Sequence, residues 1–200
     1  MKKDIANLTS NILNPFLVSL AVILLVSFQS AASALEALKW TLILFAVGIL
    51  PVFSVIVYLV RKDKLESIFI NLRRQRNKVY LLASLCTITS LVIILAMGAP
   101  LVLVASLVAI FAAMLLFMGI NLRWKISVHT AFIAGSVTTL TILFGSTGAL
   151  SAVLLPPLAW ARTELEHHSI AQVTAGALLA ALIVVVVFHF FGLLGVARPI

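Results

Sequence analysis

The sequence Arg162-Thr-Glu-Leu-Glu-His-His168-Ser-Ile-Ala-Gln172 is a short polar island between two apolar segments. A second polar island, Lys125-Ile-Ser127-Val-His129, lies about thirty residues upstream. The apolar residues that separate the islands are numerous enough for a hairpin of two short helices. Such a hairpin returns the chain to the side from which it started, so we expect the two islands to meet.

Composition places the chain in the membrane class. Its residues are 63% hydrophobic and only 10% charged, and the mean hydropathy is +1.23. A soluble domain is about half apolar and about one quarter charged. Backbone polar groups in a bilayer must be satisfied within helices, and the sequence lacks the ten-residue alternation of a membrane barrel. We therefore predict one all-α, polytopic membrane bundle over residues 1–200.

A membrane-spanning helix needs about 20 apolar residues, and several segments approach or reach that length. The fifth and sixth are short and flank Gly145-Ser-Thr-Gly148. We predict six to seven spans, divided into an N-terminal helical hairpin (1–60) and a core (61–194). The predicted segments are 14–33, 38–60, 79–98, 101–121, 130–146, 148–161 and 171–194.

The distribution of Lys and Arg predicts the orientation. If all seven segments span, the N-terminus and the loops at 61–78, 122–129 and 162–170 share one side, which the positive-inside rule makes cytoplasmic. Only Lys39 and Arg198 fall on the other side. The cations on the first side are Lys2, Lys3, Arg61, Lys62, Lys64, Arg73, Arg74, Arg76, Lys78, Arg123, Lys125 and Arg162.

The N-terminus admits a competing interpretation. Lys2 and Lys3, an apolar stretch at 15–27 and Ala32-Ser-Ala34 together resemble a cleavable signal peptide. The polar stretch 4–14 is long for the charged region of such a peptide. A polytopic protein also has no need of a removable signal, so we expect the segment to be retained.

The second island suggests a nucleophile with its supporting groups. His168 and Gln172 are four residues apart, so they share a face if the last helix begins near 168. Gln172 would then hold one ring nitrogen and leave the other as a nucleophile. Arg162, expected just beyond the end of the sixth helix, carries a planar guanidinium that matches two phosphate oxygens. The alternative is that these residues are merely interfacial.

The first island suggests an anion site. Ser127 and His129 precede the fifth predicted helix, and the backbone N–H groups at a helix start favour an anion. Ser127 would add a hydroxyl, and Lys125 would neutralise phosphate charge. Alternatively, Ser127 is an ordinary helix N-cap and Lys125 anchors the helix at the interface.

Both islands resemble motifs of the type 2 phosphatidic acid phosphatase and vanadium haloperoxidase superfamily. Lys125-Ile-Ser127-Val-His129 resembles its Pro-Ser-Gly-His motif, and Arg162-x5-His168-x3-Gln172 resembles its Ser-Arg-x5-His-x3-Asp motif. The chain would be a divergent, bacterial-type member. Its departures are Ile126 for Pro, Val128 for Gly, Ala161 for Ser and Gln172 for Asp. A neutral amide orients an imidazole but does not stabilise its charged form as a carboxylate does.

The remaining motif of that family, Lys-x6-Arg-Pro, is absent from this chain. The 61–78 loop does contain Arg73 and Arg76, which are about one helical turn apart and are placed to close over a phosphate. A basic loop of this kind is also typical of a solvated segment that only sets orientation.

The resemblance implies a metal-independent lipid phosphatase without a cofactor. His168 would form a phosphohistidine, and His129 would protonate the leaving oxygen. Arg162, Lys125 and Ser127, together with Arg73 or Arg76, would stabilise the phosphate charge.

The implied substrate is a lipid phosphate, such as phosphatidate, phosphatidylglycerophosphate or a polyprenyl diphosphate. We expect a bacterial or archaeal cell membrane, active-site loops that face the cytoplasm, and no nucleic-acid partner, because the cations sit in short loops at a membrane face. The oligomeric state is left open. The alternatives are a non-catalytic protein that binds or transports phospholipids or prenyl phosphates, and a small transporter unrelated to phosphate.

Overall fold

The predicted apolar segments are largely helical in the computed structural model, which describes residues 1–65 and 72–195. These residues contain no strand, so the all-α prediction is confirmed for the described part of the chain. The α-helices are α1 (Lys2–Ile12), α2 (Pro15–Ser30), α3 (Ala34–Leu44), α4 (Leu50–Arg61), α5 (Arg73–Ala96), α6 (Leu101–Asn121), α7 (Val128–Phe144), α8 (Ser146–Ala149), α9 (Leu155–Glu164) and α10 (Ile170–Phe190).

Membrane character is supported by four helical segments, within residues 1–65 and 72–195, that are long and apolar enough to span a bilayer. They are Ala34–Arg61, in which the π-helical turn Phe45–Ile49 joins α3 to α4, Gln75–Ala96, Leu101–Asn121 and Ile170–Phe190. A fifth candidate arises if α1 and α2, which are bent by 41°, count as one span. The predicted total of six to seven spans is not confirmed.

The predicted segment 148–161 differs most from the structure. Gly145, with φ of 60°, ends α7, and the chain then forms α8, a 3₁₀ segment at Leu150–Leu154 and α9. Pro156 and Pro157 lack the N–H that a continuing helix needs, but they fit the first turn of α9, where such a donor would have no partner. Arg162 therefore lies in the last turn of a helix, and its expected position beyond the helix end is wrong.

The helices α7 and α10 cross at very close range, and this crossing positions the site. A Cβ atom on Gly176 would lie 2.6 Å from the carbonyl oxygen of Ser127, so a side chain is excluded there. The hydroxyl of Thr130 donates to the carbonyl of Val173 at 3.1 Å. The backbone N–H of Ser127 donates to the carbonyl of Gln172 at 3.2 Å. The start of α7 is thereby fixed against the start of α10.

The N-terminal helices pack on the same bundle. Helix α1 packs on α9, and α2 packs on α3, α6 and α7. Buried apolar side chains form one cluster around Trp40 and Ile94 and another around Phe117 and Ile126. The second cluster lies at the end of the bundle that carries the two polar islands. Arg198 and residues 66–71 of the predicted 61–78 loop lie outside the described part of the chain.

Candidate functional site

The structure brings the two polar islands together. Lys125 Nζ donates to the carbonyl of His167 at 2.6 Å, which ties the first island to the second. Within the second island, the backbone N–H of His168 donates to the carbonyl of Arg162 at 3.2 Å. The chain therefore folds back from the end of α9 to the start of α10, and it buries both Arg162 and His168.

The ring of His168 is held by the cap of α10. The helix begins at Ile170, so His168 lies just outside it and the condition for a shared helical face is not met. Ser169 is the N-cap, and it forms a capping box with Gln172. The same Gln172 side chain then contacts the imidazole, with 3.0 Å between Oε1 and Nδ1.

These contacts determine the tautomer of His168. The backbone N–H of Ser169 donates to Gln172 Oε1 at 3.4 Å, so that oxygen faces the loop and Nδ1 of His168 must be the protonated nitrogen. On the other side of the ring, Nε2 lies 3.3 Å from Nη2 of Arg76, and a guanidinium can only donate. Nε2 therefore carries a lone pair, and it is directed toward a cation.

Arg76 is the cation that faces His168, although the sequence offered it only as one of a pair. Its side chain is 7% exposed, and Nη1 donates to the carbonyl of Ile126 at 2.7 Å. Arg73, the other member, is exposed, and its Nη1 donates to the carbonyl of Leu122 at 2.8 Å. The structure thus brings Arg76 to the site and holds Arg73 at the exposed start of α5.

Arg162 is the most deeply buried cation of the site. Its side chain is 2% exposed, and Nη1 donates to the hydroxyl of Ser10 in α1 at 2.8 Å. Its Nε is buried and has no hydrogen-bond partner among the described residues. A buried guanidinium is costly unless an anion compensates it, and Arg162 forms no ion pair within the described part of the chain. The group is suited to a ligand that brings negative charge.

In the first island, His129 belongs to the site itself, whereas Ser127 caps the helix that carries His129. His129 is 6% exposed and lies close enough to Arg162, His168 and Arg76 to interact with them electrostatically. Ser127 is fully buried and is the N-cap of α7, where its hydroxyl oxygen accepts from the N–H of Thr130. Ser127 is therefore an ordinary helix N-cap, which was the alternative interpretation of this residue. It does not line the cavity described below.

The site is electropositive, and its loop histidines are neutral. Burial, followed by the charges of Arg76, Lys125 and Arg162, holds the pKa of His168 far below its usual value. Burial and the same three cations lower the pKa of His167 to about 4. Both imidazoles are thus available as unprotonated bases or nucleophiles at neutral pH.

Two residues of this region were not predicted from the sequence to contribute to the site. In a helix, His167 would point about 100° away from His168, but it lies in the loop before α10, where that geometry does not apply. Ser10 contacts Arg162 from 152 positions away. No local pattern signals such a contact, whereas the Ser169-x-x-Gln172 capping box was readable in the sequence.

A cavity of about 290 Å³ connects the charged end of the site to the apolar interior. The charged end of the cavity is lined by Arg76 in the first turn of α5, His129 in the first turn of α7 and Arg162 in α9. Most of the remaining wall is apolar. His168 does not line the cavity itself, and its nearest cavity-lining partner in the hydrogen-bond network is Arg76. Among residues 1–65 and 72–195, no group of three or more His, Cys, Asp and Glu side chains is placed to hold a metal ion.

No protein-family model matches this chain, and no curated protein sequence or solved structure matches it either. The resemblance to the type 2 phosphatidic acid phosphatases therefore rests on the two polar motifs alone, and membership of that family remains a prediction.

Proposed function

We propose that the chain is a membrane lipid phosphatase that cleaves a phosphomonoester or diphosphate through a phosphohistidine. The observation that carries this proposal is the fixed tautomer of His168. Gln172 Oε1 accepts a hydrogen bond from Nδ1–H, and Nε2 is left with its lone pair facing a guanidinium. Nε2 is the atom that would attack phosphorus in this proposal.

The first step joins phosphorus to His168. The phosphate would replace Nε2 as the partner of Arg76 Nη2, which places phosphorus beside Nε2. Nε2 forms the bond to phosphorus, the bond from phosphorus to the lipid oxygen breaks, and His129 gives a proton to that oxygen. The incoming negative charge favours the protonated form of His129 that this step requires. Gln172 Oε1 remains on Nδ1–H while the ring is positively charged.

The second step releases phosphate. Water attacks phosphorus, the bond between phosphorus and Nε2 of His168 breaks, and the proton of the water returns to His129. Arg76 and Arg162 stabilise the equatorial oxygens in both steps, and charge stabilisation of this kind is usually the largest catalytic contribution. Lys125, whose ammonium holds the His167 carbonyl, supports the same charge from the loop. Arg73 has no role in this scheme.

The proposed membrane arrangement follows from this site. The helix α7 and the α8–α9 segment would form a short spanning hairpin, which gives the predicted six to seven crossings and keeps the two islands on one face. The excess of Lys and Arg on that face makes it cytoplasmic in the proposal. A lipid phosphate at the bilayer surface would reach the site with its tail still in an apolar environment.

Phosphate release from a panel of lipid phosphates, with the protein in detergent, tests the proposal. We expect near-total loss of release in His168→Ala, because no nucleophile remains. We expect a loss of about 10²- to 10⁴-fold in His129→Ala, the usual contribution of a general acid. His189→Ala is the matched control, because His189 lies about 30 Å farther along α10 and should leave the rate unchanged.

Unchanged release in both site variants would overturn the proposed mechanism. One alternative function is favoured by a specific residue, because Gln172 stands where the related motif has a carboxylate. A wild-type protein that binds lipid phosphates but releases no phosphate would identify a non-catalytic binding or transport protein.

A further inference from the structure

The cavity follows one face of α5 deep into the bundle. Its lining residues on that helix recur at intervals of three or four, which is the repeat of a single helical face. They are Arg76, Val79, Tyr80, Ala83, Thr87 and Ser90. At 1.5 Å per residue, the path from Arg76 to Ser90 is about 21 Å long. The cavity is thus an elongated channel with its cations at one end.

The far part of this channel is apolar even where hydroxyl groups line it. Each of three hydroxyls donates to a carbonyl one turn earlier in its own helix, so none requires a polar ligand. They are Thr87 to Ala83, Ser90 to Cys86 and Ser106 to Val102, each at 2.8 Å. Such internally bonded hydroxyls present their carbon atoms to the channel. A hydrocarbon chain is therefore compatible with the wall at these three positions.

The channel has room for the hydrocarbon tail of a lipid. Its volume is about 290 Å³, whereas about 10–15 Å³ of such space is enough to hold one water molecule.

We infer that the bundle binds a lipid phosphate with a hydrocarbon tail inside this channel and its phosphate at Arg76, His129 and Arg162. The inference rests on the proposed function for the identity of the head group. It adds that a tail of the substrate leaves the bilayer for the protein interior.

Gly48 is the residue assigned to set the tail length. It lies in the π-helical turn between α3 and α4 and lines the channel beside Ser90, the lining residue of α5 most distant from Arg76. A Cβ atom at Gly48 would lie 3.3 Å from Ser90 Oγ. Any larger side chain at this position would project into the end of the channel.

Binding of octyl, dodecyl and hexadecyl phosphonate to the protein in nanodiscs tests the inference. These single-chain probes are not hydrolysed, so the measurement is independent of catalysis. We expect Gly48→Leu to weaken hexadecyl phosphonate binding at least tenfold and to leave octyl phosphonate binding unchanged. Gly119→Leu is the matched control, because a Cβ atom at Gly119 meets nothing within 4 Å and the residue lies outside the channel. A comparison of the affinities for farnesyl phosphonate and dodecyl phosphonate shows whether the channel prefers an isoprenoid or an alkyl tail.

A photolabel at the tail end of dodecyl phosphonate gives a second measurement on the unaltered protein. Labelling of Thr87 or Ser90, on the channel face of α5, supports the inference. Labelling confined to Leu85, Ile88 and Val92, which are exposed on the outer face of the same helix, overturns it. Equal effects of Gly48→Leu on all three probes also overturn it. These results stand apart from the proposed hydrolysis, which is tested by phosphate release from the wild type and the site variants.

Discussion

Gln172 combines two functions in one side chain. Its amide completes the capping box that starts α10, and the same oxygen holds Nδ1–H of His168. In the motif that the sequence resembles, an Asp stands at this position and adds a negative charge. The amide provides orientation without that charge, so the chain retains a positioned nucleophile whose positively charged intermediate is less stabilised.

Replacement of Gln172 by Leu should lower the rate of phosphate release about 10- to 100-fold, the usual cost of losing a partner that orients a functional imidazole. Gln172→Glu keeps an acceptor and adds charge, so it should retain the rate or raise it. The measurement is kcat on the best lipid phosphate of the panel.

The helix cap complicates this comparison, and Ser169→Ala separates the two effects. This variant removes the N-cap hydroxyl and should cost about 1 kcal/mol of stability, but it leaves the contact between Gln172 and His168 in place. A rate of phosphate release that falls as far in Ser169→Ala as in Gln172→Leu would show that release depends on the helix cap and not on the tautomer of His168.

At the scale of elements, the site depends on the crossing of α7 and α10. His129 lies at the start of α7 and His168 just before α10, so their separation is set by how closely these helices approach. Gly176 permits that approach because its Cα faces the carbonyl of Ser127.

Gly176→Val should lower both the melting temperature and the rate of phosphate release. The new side chain would meet backbone at 2.6 Å and cannot be accommodated by a rotamer change, so the helices must separate. A destabilisation of about 1–3 kcal/mol is typical of such overpacking. Gly119→Ala is the control for an added helix methyl group, and it should be neutral or slightly stabilising. A stable and fully active Gly176→Val protein would contradict the proposed role of the crossing.

At the scale of the whole molecule, the fold concentrates positive charge and neutral imidazoles at one end. The pKa of His168 lies far below its usual value in the folded chain, because of burial and the neighbouring Arg76, Lys125 and Arg162. In the unfolded chain the pKa of a histidine is about 6.5. Below that pH the unfolded state binds a proton that the folded state does not, so the free energy of unfolding falls as the pH falls.

The expected loss from His168 between about pH 7.5 and pH 5 is about 2 kcal/mol. Thermal unfolding in detergent at the two pH values measures it, and His168→Asn should flatten the dependence. His167, with its pKa lowered to about 4, should add a smaller contribution in the same direction because it is less buried. Stability that does not change over this range, or a slope that His168→Asn leaves unaltered, would contradict the electrostatic account.

Much of the architecture was accessible from composition and periodicity. A chain that is 63% hydrophobic must satisfy its backbone within helices if it enters a bilayer, and the described residues are all-helical where they form regular structure. The boundaries of α6 were predicted at 101–121, because an uninterrupted apolar run begins just after Pro100. The prediction of one apolar segment at 148–161 failed because two prolines and a glycine determine the local backbone geometry, and hydropathy carries no information about that geometry.

The sequence by itself determined the all-helical class, and it supplied the two polar islands, because hydrophobicity and residue type are properties of single positions. Only the tertiary structure decided which groups meet. Arg76 rather than Arg73 faces His168, Ser10 holds Arg162, and a channel follows α5 to Gly48. These outcomes depend on helix rotation and close packing, which are fixed by contacts between residues far apart in the chain.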